Sequence, residues 1–375
     1  MSRPENIDEH LAMLGQKLID SLEKFTADGK RQPWESPVFK ARYMNPVSGT
    51  KYTLENAAQL AMMAEDRGFK TPYYLTAKQG FDSGMSMQKG TEASYITQHF
   101  VISKPLTKKN GQGHEEVLLD TDGNPKIYKR AGSKQVPVFN LDQFTGALPA
   151  KIERIISAQN KISTSEQVET VYQSLIDTMP TPLTRNIEPD GQHNYYSPSK
   201  DSINAAPSNL FKSRLHEFHT IAHEISHSYG HTSRKNRESL HKYGQGNEYR
   251  GFEELVANLS AQRIADHFGL ELNGAAKDDM NESFKNNHAS YDLGWANAGF
   301  KDNPQRIWEA IKMADQTSST VIQLMTEDLK AKLERNPSLE VPDILKASIQ
   351  AKKDSEAAYE QRQAEKTTKT RKYKR

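Results

Sequence analysis

His223, Glu224 and His227 fall in the run His-Glu-Ile-Ser-His. A spacing of four on a helix puts both imidazoles on one face, where they can share a single metal ion, with Glu224 beside it as the candidate catalytic base. Two imidazoles do not complete a site, so a third ligand is needed. The chain contains no cysteine, which leaves imidazole and carboxylate groups as donors. Twenty-six residues after His227 comes Glu253-Glu254-Leu255-Val256-Ala257-Asn258. Glu254 shares a helical face with Ala257, Asn258, Ala261 and Ala265, small residues that let two helices approach closely enough for a Glu side chain to reach a shared ion. The predicted metal ligands are therefore His223, His227 and Glu254, with Glu253 as the fallback, and the predicted ion is Zn2+ or another divalent metal such as Mn2+.

In zincins of the glutamate type, a small residue follows the third ligand at three and a polar residue that orients a ligand histidine follows at four. Glu254, Ala257 and Asn258 resemble that arrangement. The alternative with a third histidine six residues after the second fails: Gly230 fits, but position 233 is Ser233 and His231 is out of phase. Three protein ligands with one open position is the catalytic arrangement of zinc, and the chemistry expected of it is hydrolysis of a polarised carbonyl, that of a peptide bond. His219, one turn before His223, reads as a satisfied surface histidine rather than a fourth ligand. Tyr229, His231, His241, Tyr249 and Arg250 are candidates for stabilising an oxyanion.

A second chemistry is suggested near the N-terminus. Trp34, Phe39, Tyr43, Tyr52, Tyr73, Tyr74 and Phe81 are interleaved with Arg31, Lys40, Arg42, Lys51, Lys70 and Lys78. Aromatic faces that stack on bases and cations that track phosphates are what single-strand binding requires. Aromatics at this density more often fill a core, so the signal by itself is weak.

The elements that must position these residues follow from periodicity. Leu11, Leu14, Leu18 and Leu22 predict an amphipathic helix over 8–25, and 54–67 predicts a second, closed by Gly68. Short strands are expected at 73–76, 93–102, 126–128 and 136–141, with a protruding hairpin or loop over 107–125 carrying Asn110-Gly111 and Asp122-Gly123. Residues 149–186 read as mostly helical, and Asn194-Tyr195-Tyr196 as a strand leading into the metal helix at 209–229. There Phe211, Leu215, Phe218, Ala222 and Ile225 make a buried stripe, with His219, His223 and His227 on a wet edge. Helices are expected at 253–268, closed by Gly269, at 303–325 and at 338–363, the last exposed or frayed, with an Asn-rich connection over 273–287. The predicted fold class is α+β: a mixed N-terminal domain over 1–148, a mainly helical metal-binding domain over 149–335, and a charged helical extension with a basic tail over 336–375.

The 375 residues suffice for such domains, and a mean hydropathy of −0.81 indicates a very polar surface. Net charge is +2, but Lys366, Lys369, Arg371, Lys372, Lys374 and Arg375 contribute +6 in the last ten residues, which leaves −4 for the rest. The tail reads as a solvated terminus with non-specific attraction for phosphates, so a DNA-binding claim needs a local surface. No stretch approaches the ~18 apolar residues of a membrane span. The absence of cysteine suits a reducing compartment, and a cytoplasmic protein is expected.

The order of motifs resembles the ArdC-type antirestriction proteins of plasmids and phages, whose N-terminal region is similar to one in TraC-type primases. Asn45-Pro46 through Gly49, Tyr52, Asn56, Thr76, Lys78-Gln79, Gly84 and Lys89-Gly90 resemble the N-terminal signature, as does Val138-Phe139-Asn140. Tyr195-Tyr196, Asp201, the run from His223 to His231, Arg234, the run from Glu253, and Tyr291 with Trp295 resemble the metal-binding half. The chain departs from the pattern at Leu54, where a glycine is usual, and at Tyr74, where a tryptophan is usual. The resemblance implies a zincin-like domain joined to a single-stranded-DNA-binding domain, with Trp34, Arg42, Tyr52, Tyr74, Lys78 and Lys89 as candidate DNA contacts. Single-stranded DNA is then the expected partner, and restriction enzymes or a protein substrate are further ones. The rival readings are a metallopeptidase using its N-terminal domain for recognition and a non-catalytic DNA-binding or primase-accessory protein.

Overall fold

Thr53 closes the first turn of a helix by accepting from the Asn56 amide, and Gly68, at φ 69°, ends it. Between them lies α1 (Leu54–Arg67), the helix expected there. The computed structural model describes residues 13, 15–21, 43–109, 111, 115–185, 194–270, 300 and 303–372. Residues 15–21 are helical. Of the aromatic and basic residues singled out near the N-terminus, Arg31, Trp34, Phe39, Lys40 and Arg42 lie outside the described residues, as do Tyr291, Trp295 and the connection at 273–287.

Before α1, β1 (Met44–Asn45) and β2 (Thr50–Lys51) pair across a turn in which Asn45 accepts from the amides of Val47 and Ser48. Gly49 completes that turn at φ 70°, and a Cβ there would lie 3.3 Å from Ala351 Cβ and Ser348 Cα. β3 (Tyr74–Leu75) leads to α2 (Ala77–Asp82), which a Thr76–Gln79 capping box starts, and then to β4 (Ser86–Met87).

The short strands expected next are instead two long ones, β5 (Ser94–Pro105) and β8 (Ile127–Asn140). They pair antiparallel without a break from Ser94↔Val138 to Pro105↔Ile127. Ala131-Gly132-Ser133 has low strand propensity and hides the second strand in the sequence, but a partner strand overrides propensity. Pro137 is tolerated because β3 reaches only Phe139–Asn140, so one edge of β8 needs no donor at 137. At the ribbon's end, β6 (Thr107–Lys109) and β7 (Glu115–Val117) form a further hairpin, so the protrusion expected at 107–125 is the tip of a longer arm. Only the arm's base is buried, at Ser94 and Val138. β9 (Phe144–Thr145) then pairs with β4.

The remaining chain is mainly helical: α3 (Ala150–Gln159), α4 (Ser165–Thr178), α5 (Arg214–Ser228), α6 (Glu238–His241), α7 (Asn247–His267), α8 (Gln305–Arg335) and α9 (Asp343–Lys372). A small sheet sits beside them. β12 (Ser202–Ala205) lies at its centre, parallel to β10 (Leu183–Arg185) and antiparallel to β11 (Tyr195–Ser197), which is an edge strand. α8 runs ten residues past the expected end at Met325, because Leu329 continues its buried stripe. α9 is less detached than its charge suggests: Val341, Ile344, Leu345, Ala347 and Ala351 are buried.

The two halves share a core. Leu54, Ala58 and Ala61 of α1 pack with Leu18, with Phe252, Leu255 and Leu259 of α7, and with Trp308 and Ile311 of α8. Polar contacts cross the same seam: Arg263 donates to the Tyr52 carbonyl at 3.0 Å, and the Leu54 amide donates to Asp315 at 3.1 Å. The α+β class holds, with the N-terminal sheet elements followed by the helical half.

Candidate metal centre

Ser213 accepts from the His216 amide and starts α5. α5 was expected to have a wet edge. It is instead buried on every side from His216 to Ser228, because β11, α4, α7 and α8 pack around it. Phe211 lies before the helix and is half-buried. α7 begins at Asn247, six residues before its expected start, and its buried small residues Ala257, Ala261 and Ala265 face the neighbouring helices.

These two helices bring His223, His227 and Glu254 together, with ligand atoms that all lie within 4.8 Å of one another. The two Nε2 atoms are 3.0 Å apart, and Glu254 lies 3.3 Å from His223 Nε2 and 3.7 Å from His227 Nε2. Donors bound to one ion at about 2.0–2.2 Å stand roughly 3–4 Å apart, so this set fits a small divalent cation. The opposite ring nitrogens are already committed. His223 Nδ1 donates to Asn258 Oδ1 at 2.8 Å, and His227 Nδ1 to Glu253 Oε1 at 3.1 Å. Both hydrogen bonds fix the tautomer that turns the Nε2 lone pair toward Glu254 and the other imidazole.

Glu253, the fallback ligand, points away from the site. It is fully buried and held by the Arg237 guanidinium, by the Ser239 hydroxyl at 2.6 Å and by His227. Burial alone would push its carboxyl up, but Arg237 and His227 outweigh that and bring it down to about 2. Arg237 also donates to the Ser226 carbonyl at 2.6 Å and to Thr317 at 3.2 Å. The sequence reading missed Arg237. The Glu253-Glu254 doublet was the available signal, since a buried carboxylate that is not on the metal needs a cation.

Glu224 is also buried. Burial raises its carboxyl, the effect expected of a group that must accept and return a proton, while the backbone of Tyr196 on edge strand β11 hydrogen-bonds it. Tyr243, also missed, donates to Glu254 and places its ring edge-on to His227 at 6.2 Å. Of the oxyanion candidates, Arg250 lies over the Tyr243 ring at 5.5 Å and Tyr249 under Lys242 at 5.0 Å. Tyr229 is buried, His231 bonds Ser233 and approaches Asp201 at 3.8 Å, and His241 bonds Asn236. Asp201 and Arg234, far apart in sequence, form an ion pair joined by the Tyr196 hydroxyl, and this ties the loop after α5 to the small sheet. His219 is not a surface residue. It is buried, its Nε2 has no hydrogen-bond partner among the described residues, and burial brings its pKa down to about 3.

Among the described residues, the candidate DNA contacts Tyr52, Tyr74, Lys78 and Lys89 do not form one surface. Tyr74 is 0 % exposed, donates to the Leu60 carbonyl, and sits between Tyr43 and Phe69. Tyr52 is half-buried and donates to the Tyr74 carbonyl at 2.9 Å. Tyr74 is therefore a core residue with no face open to a base, and Tyr52 packs half-buried against the same cluster. Their alternation with lysines marked a strand and a helix start folded over α1. Lys78 is exposed and paired with Asp82 at 2.8 Å, and Lys89 lines a surface hollow with Arg67, Lys70 and Thr91.

Comparison with known proteins follows the same division. Residues 9–139 match the family described as the N-terminal domain of anti-restriction factor ArdC, and residues 173–313 match a zincin-like metallopeptidase family. Two DNA primase TraC proteins of Escherichia coli are 27 % and 26 % identical over 317 and 315 residues. The matches take in 82 % and 83 % of this chain but 26 % and 20 % of theirs, so the chain spans about a quarter of those relatives or less. The fold is similar to crystal structures of the antirestriction ArdC protein from the R388 plasmid. The metal-free form superposes with a TM-score of 0.53 at 20 % identity and the Mn(II)-bound form with 0.54 at 21 %. They cover 84 % and 85 % of this chain and 98 % of that one.

Proposed function

This chain is an ArdC-type protein, an ArdC N-terminal domain followed by a zincin-like metallopeptidase domain, and on that premise we propose that it is an antirestriction protein that binds single-stranded DNA and carries a divalent-metal hydrolytic centre. The observation that carries the metal half is the pair of committed ring nitrogens: Asn258 and Glu253 hold the imidazoles of His223 and His227 so that both Nε2 atoms and Glu254 face one point. His223, His227 and Glu254 would hold the ion. Two imidazoles and one carboxylate suit Zn2+ first and Mn2+ next, and the relative that was crystallised with Mn(II) supports a divalent ion there. An ion so held supplies Lewis acidity to a carbonyl.

The chain's own residues do the rest. Glu224, raised by burial, is the proton carrier between nucleophile and leaving group. Edge strand β11, whose Tyr196 backbone touches Glu224, has one side unpaired among the described residues, along which an extended peptide can lie, and this favours a protein substrate. Tyr243 orients Glu254. Primase activity is not carried over from the TraC relatives, of which the chain spans only a quarter or less.

Transformation of restricting cells with unmethylated DNA tests the proposal, with the wild type compared with Glu224→Gln and Glu254→Gln and each protein's metal content measured. If the wild type protects and Glu224→Gln loses protection while retaining metal, hydrolysis is part of the function. If Glu224→Gln protects fully, the centre is structural and the DNA-binding half suffices. If the wild type gives no protection, the antirestriction reading falls.

A further inference from the structure

Tyr74 is a core residue and Tyr52 is half-buried against it, so neither ring is an exposed platform for a base. We propose that the β5–β8 arm presents the stacking surface, and that one face of it receives a single DNA strand. This rests on the proposal that the protein binds single-stranded DNA.

Paired residues across an antiparallel ribbon share a face, and the face alternates along each strand. The pairs Gln98↔Lys134, Phe100↔Gly132, Ile102↔Arg130 and Lys104↔Tyr128 therefore lie on one side. That side carries two aromatic rings and three cations in alternation. Phe100 is 37 % exposed and Tyr128 49 %. Their pair positions are four residues apart, roughly 14 Å at ~3.4 Å per residue, which separates two stacking positions on one strand of DNA.

The Phe100 ring is held down on its neighbour. A Cβ on Gly132 would come within 2.8 Å of Phe100 Cε2 and Cζ, so the ring lies across the opposite strand only because that residue is glycine. A platform fixed in this way loses little entropy when a base stacks on it.

Charge selects the occupant. Neither β5 nor β8 contains an Asp or Glu, while together they carry Lys104, Lys129, Arg130 and Lys134. The tip is different, because there Lys108 and Lys109 stand opposite Glu116 and Glu115. The shank is thus positive where the tip is balanced, and a polyanion with flat, apolar bases complements it. The other face offers Tyr95 and His99 near the base and Val101, Ser103 and Ile127 beyond them, with one lysine, Lys129, which serves as a control for the cation contacts.

The test is fluorescence anisotropy of the full-length protein with a labelled single strand of about 16 nucleotides, at about 50 and 200 mM salt. Tyr128→Ala is expected to weaken binding on the order of tenfold, and Tyr128→Phe, which keeps the ring, to stay within about twofold. Arg130→Ala should weaken binding and reduce the salt slope by about 0.7, whereas Lys129→Ala should do neither. If the wild type binds and Tyr128→Ala and Arg130→Ala bind equally well, the arm is not the surface and this inference fails while single-strand binding stands. If the wild type does not bind, the single-strand reading itself fails. Sizing the same proteins without DNA covers the other occupant: a dimer that Tyr128→Ala dissociates would make the arm a contact between copies and overturn the proposal.

Discussion

Asn258 Oδ1 lies 2.8 Å from Nδ1 of His223, on the opposite side of the imidazole from Glu254, so one helix supplies both a candidate ligand and the group that aims another. Asn258 sits one turn after Glu254 on α7, and this spacing makes the arrangement possible. Replacing it with Leu keeps the volume but removes the acceptor. Metal affinity of Asn258→Leu, measured by competition with a chelating dye, is expected to fall about 10- to 100-fold with the fold intact. Unchanged affinity would mean that the imidazole is oriented by packing alone.

Adjacent glutamates should fail in opposite ways. Glu254→Gln is expected to lose metal binding with little loss of stability in the metal-free protein. In the wild type, by contrast, a chelator should lower Tm, since an ion bound only by the folded state stabilises it by mass action. Glu253→Gln leaves the Arg237 guanidinium buried without its carboxylate, which costs about 3–5 kcal/mol with or without metal. Denaturation of both variants with and without chelator separates the roles. If Glu253→Gln is as stable as wild type, Arg237 does not depend on it.

The convergence of His223, His227 and Glu254 was legible in the sequence because His223 and His227 are one helical turn apart and Glu254 lies in a run of small residues that allows close approach. What surrounds them was not legible. Nothing in the polar segment at 231–246 marks Arg237 as a buried cation or Tyr243 as the partner of Glu254, because both are placed by a loop that folds back on α7. His219 was misread because helical periodicity assigns it to an edge and cannot reveal that β11, α4, α7 and α8 enclose that edge. The arm was undercounted for a related reason. Long-range pairing with β5 keeps Ala131-Gly132-Ser133 extended, and local propensity carries no record of it. Tyr52 and Tyr74 show the limit of composition: aromatics beside lysines describe a binding surface and a core boundary equally well.

Tyr74 therefore yields a prediction that separates these two. With no exposed surface and rings of Tyr43 and Phe69 around it, Tyr74→Ala should cost about 3–5 kcal/mol in chemical denaturation, as other deletions of a buried ring do. Its hydrogen bond to the Leu60 carbonyl is long, 3.4 Å, so Tyr74→Phe should cost less than about 1.5 kcal/mol. Tyr74→Phe should also bind single-stranded DNA as the wild type does. A destabilisation below about 1 kcal/mol for Tyr74→Ala would show that the ring is not a core residue.

Glu217 gives the clearest pH dependence away from the metal site. Its carboxylate is 1 % exposed and joins four elements: Oε1 accepts from the Tyr172 hydroxyl at 2.7 Å, from Arg185 and from the Ser208 hydroxyl at 2.8 Å, and Oε2 accepts from Arg214. Burial pushes the carboxyl up, but Tyr172, Ser208 and Arg185 prevail and hold it below the usual glutamate range. With the folded value below the unfolded value of about 4.3, the stabilisation is fully present above about pH 5. It is lost as pH falls through 4.3 toward the folded value, where the unfolded chain binds a proton that the folded one refuses. Glu217→Gln removes the titrating group. At neutral pH it should cost about 2–3 kcal/mol, less than a fully buried pair because Arg185 and Arg214 keep 30 % and 34 % of their side chains exposed. Urea midpoints measured from pH 7 to about 3.5 should therefore converge for the two proteins as the wild type loses what the variant never had. Curves that stay parallel across that range would mean that Glu217 titrates alike in the folded and unfolded chains, and that its four partners do not hold it ionised.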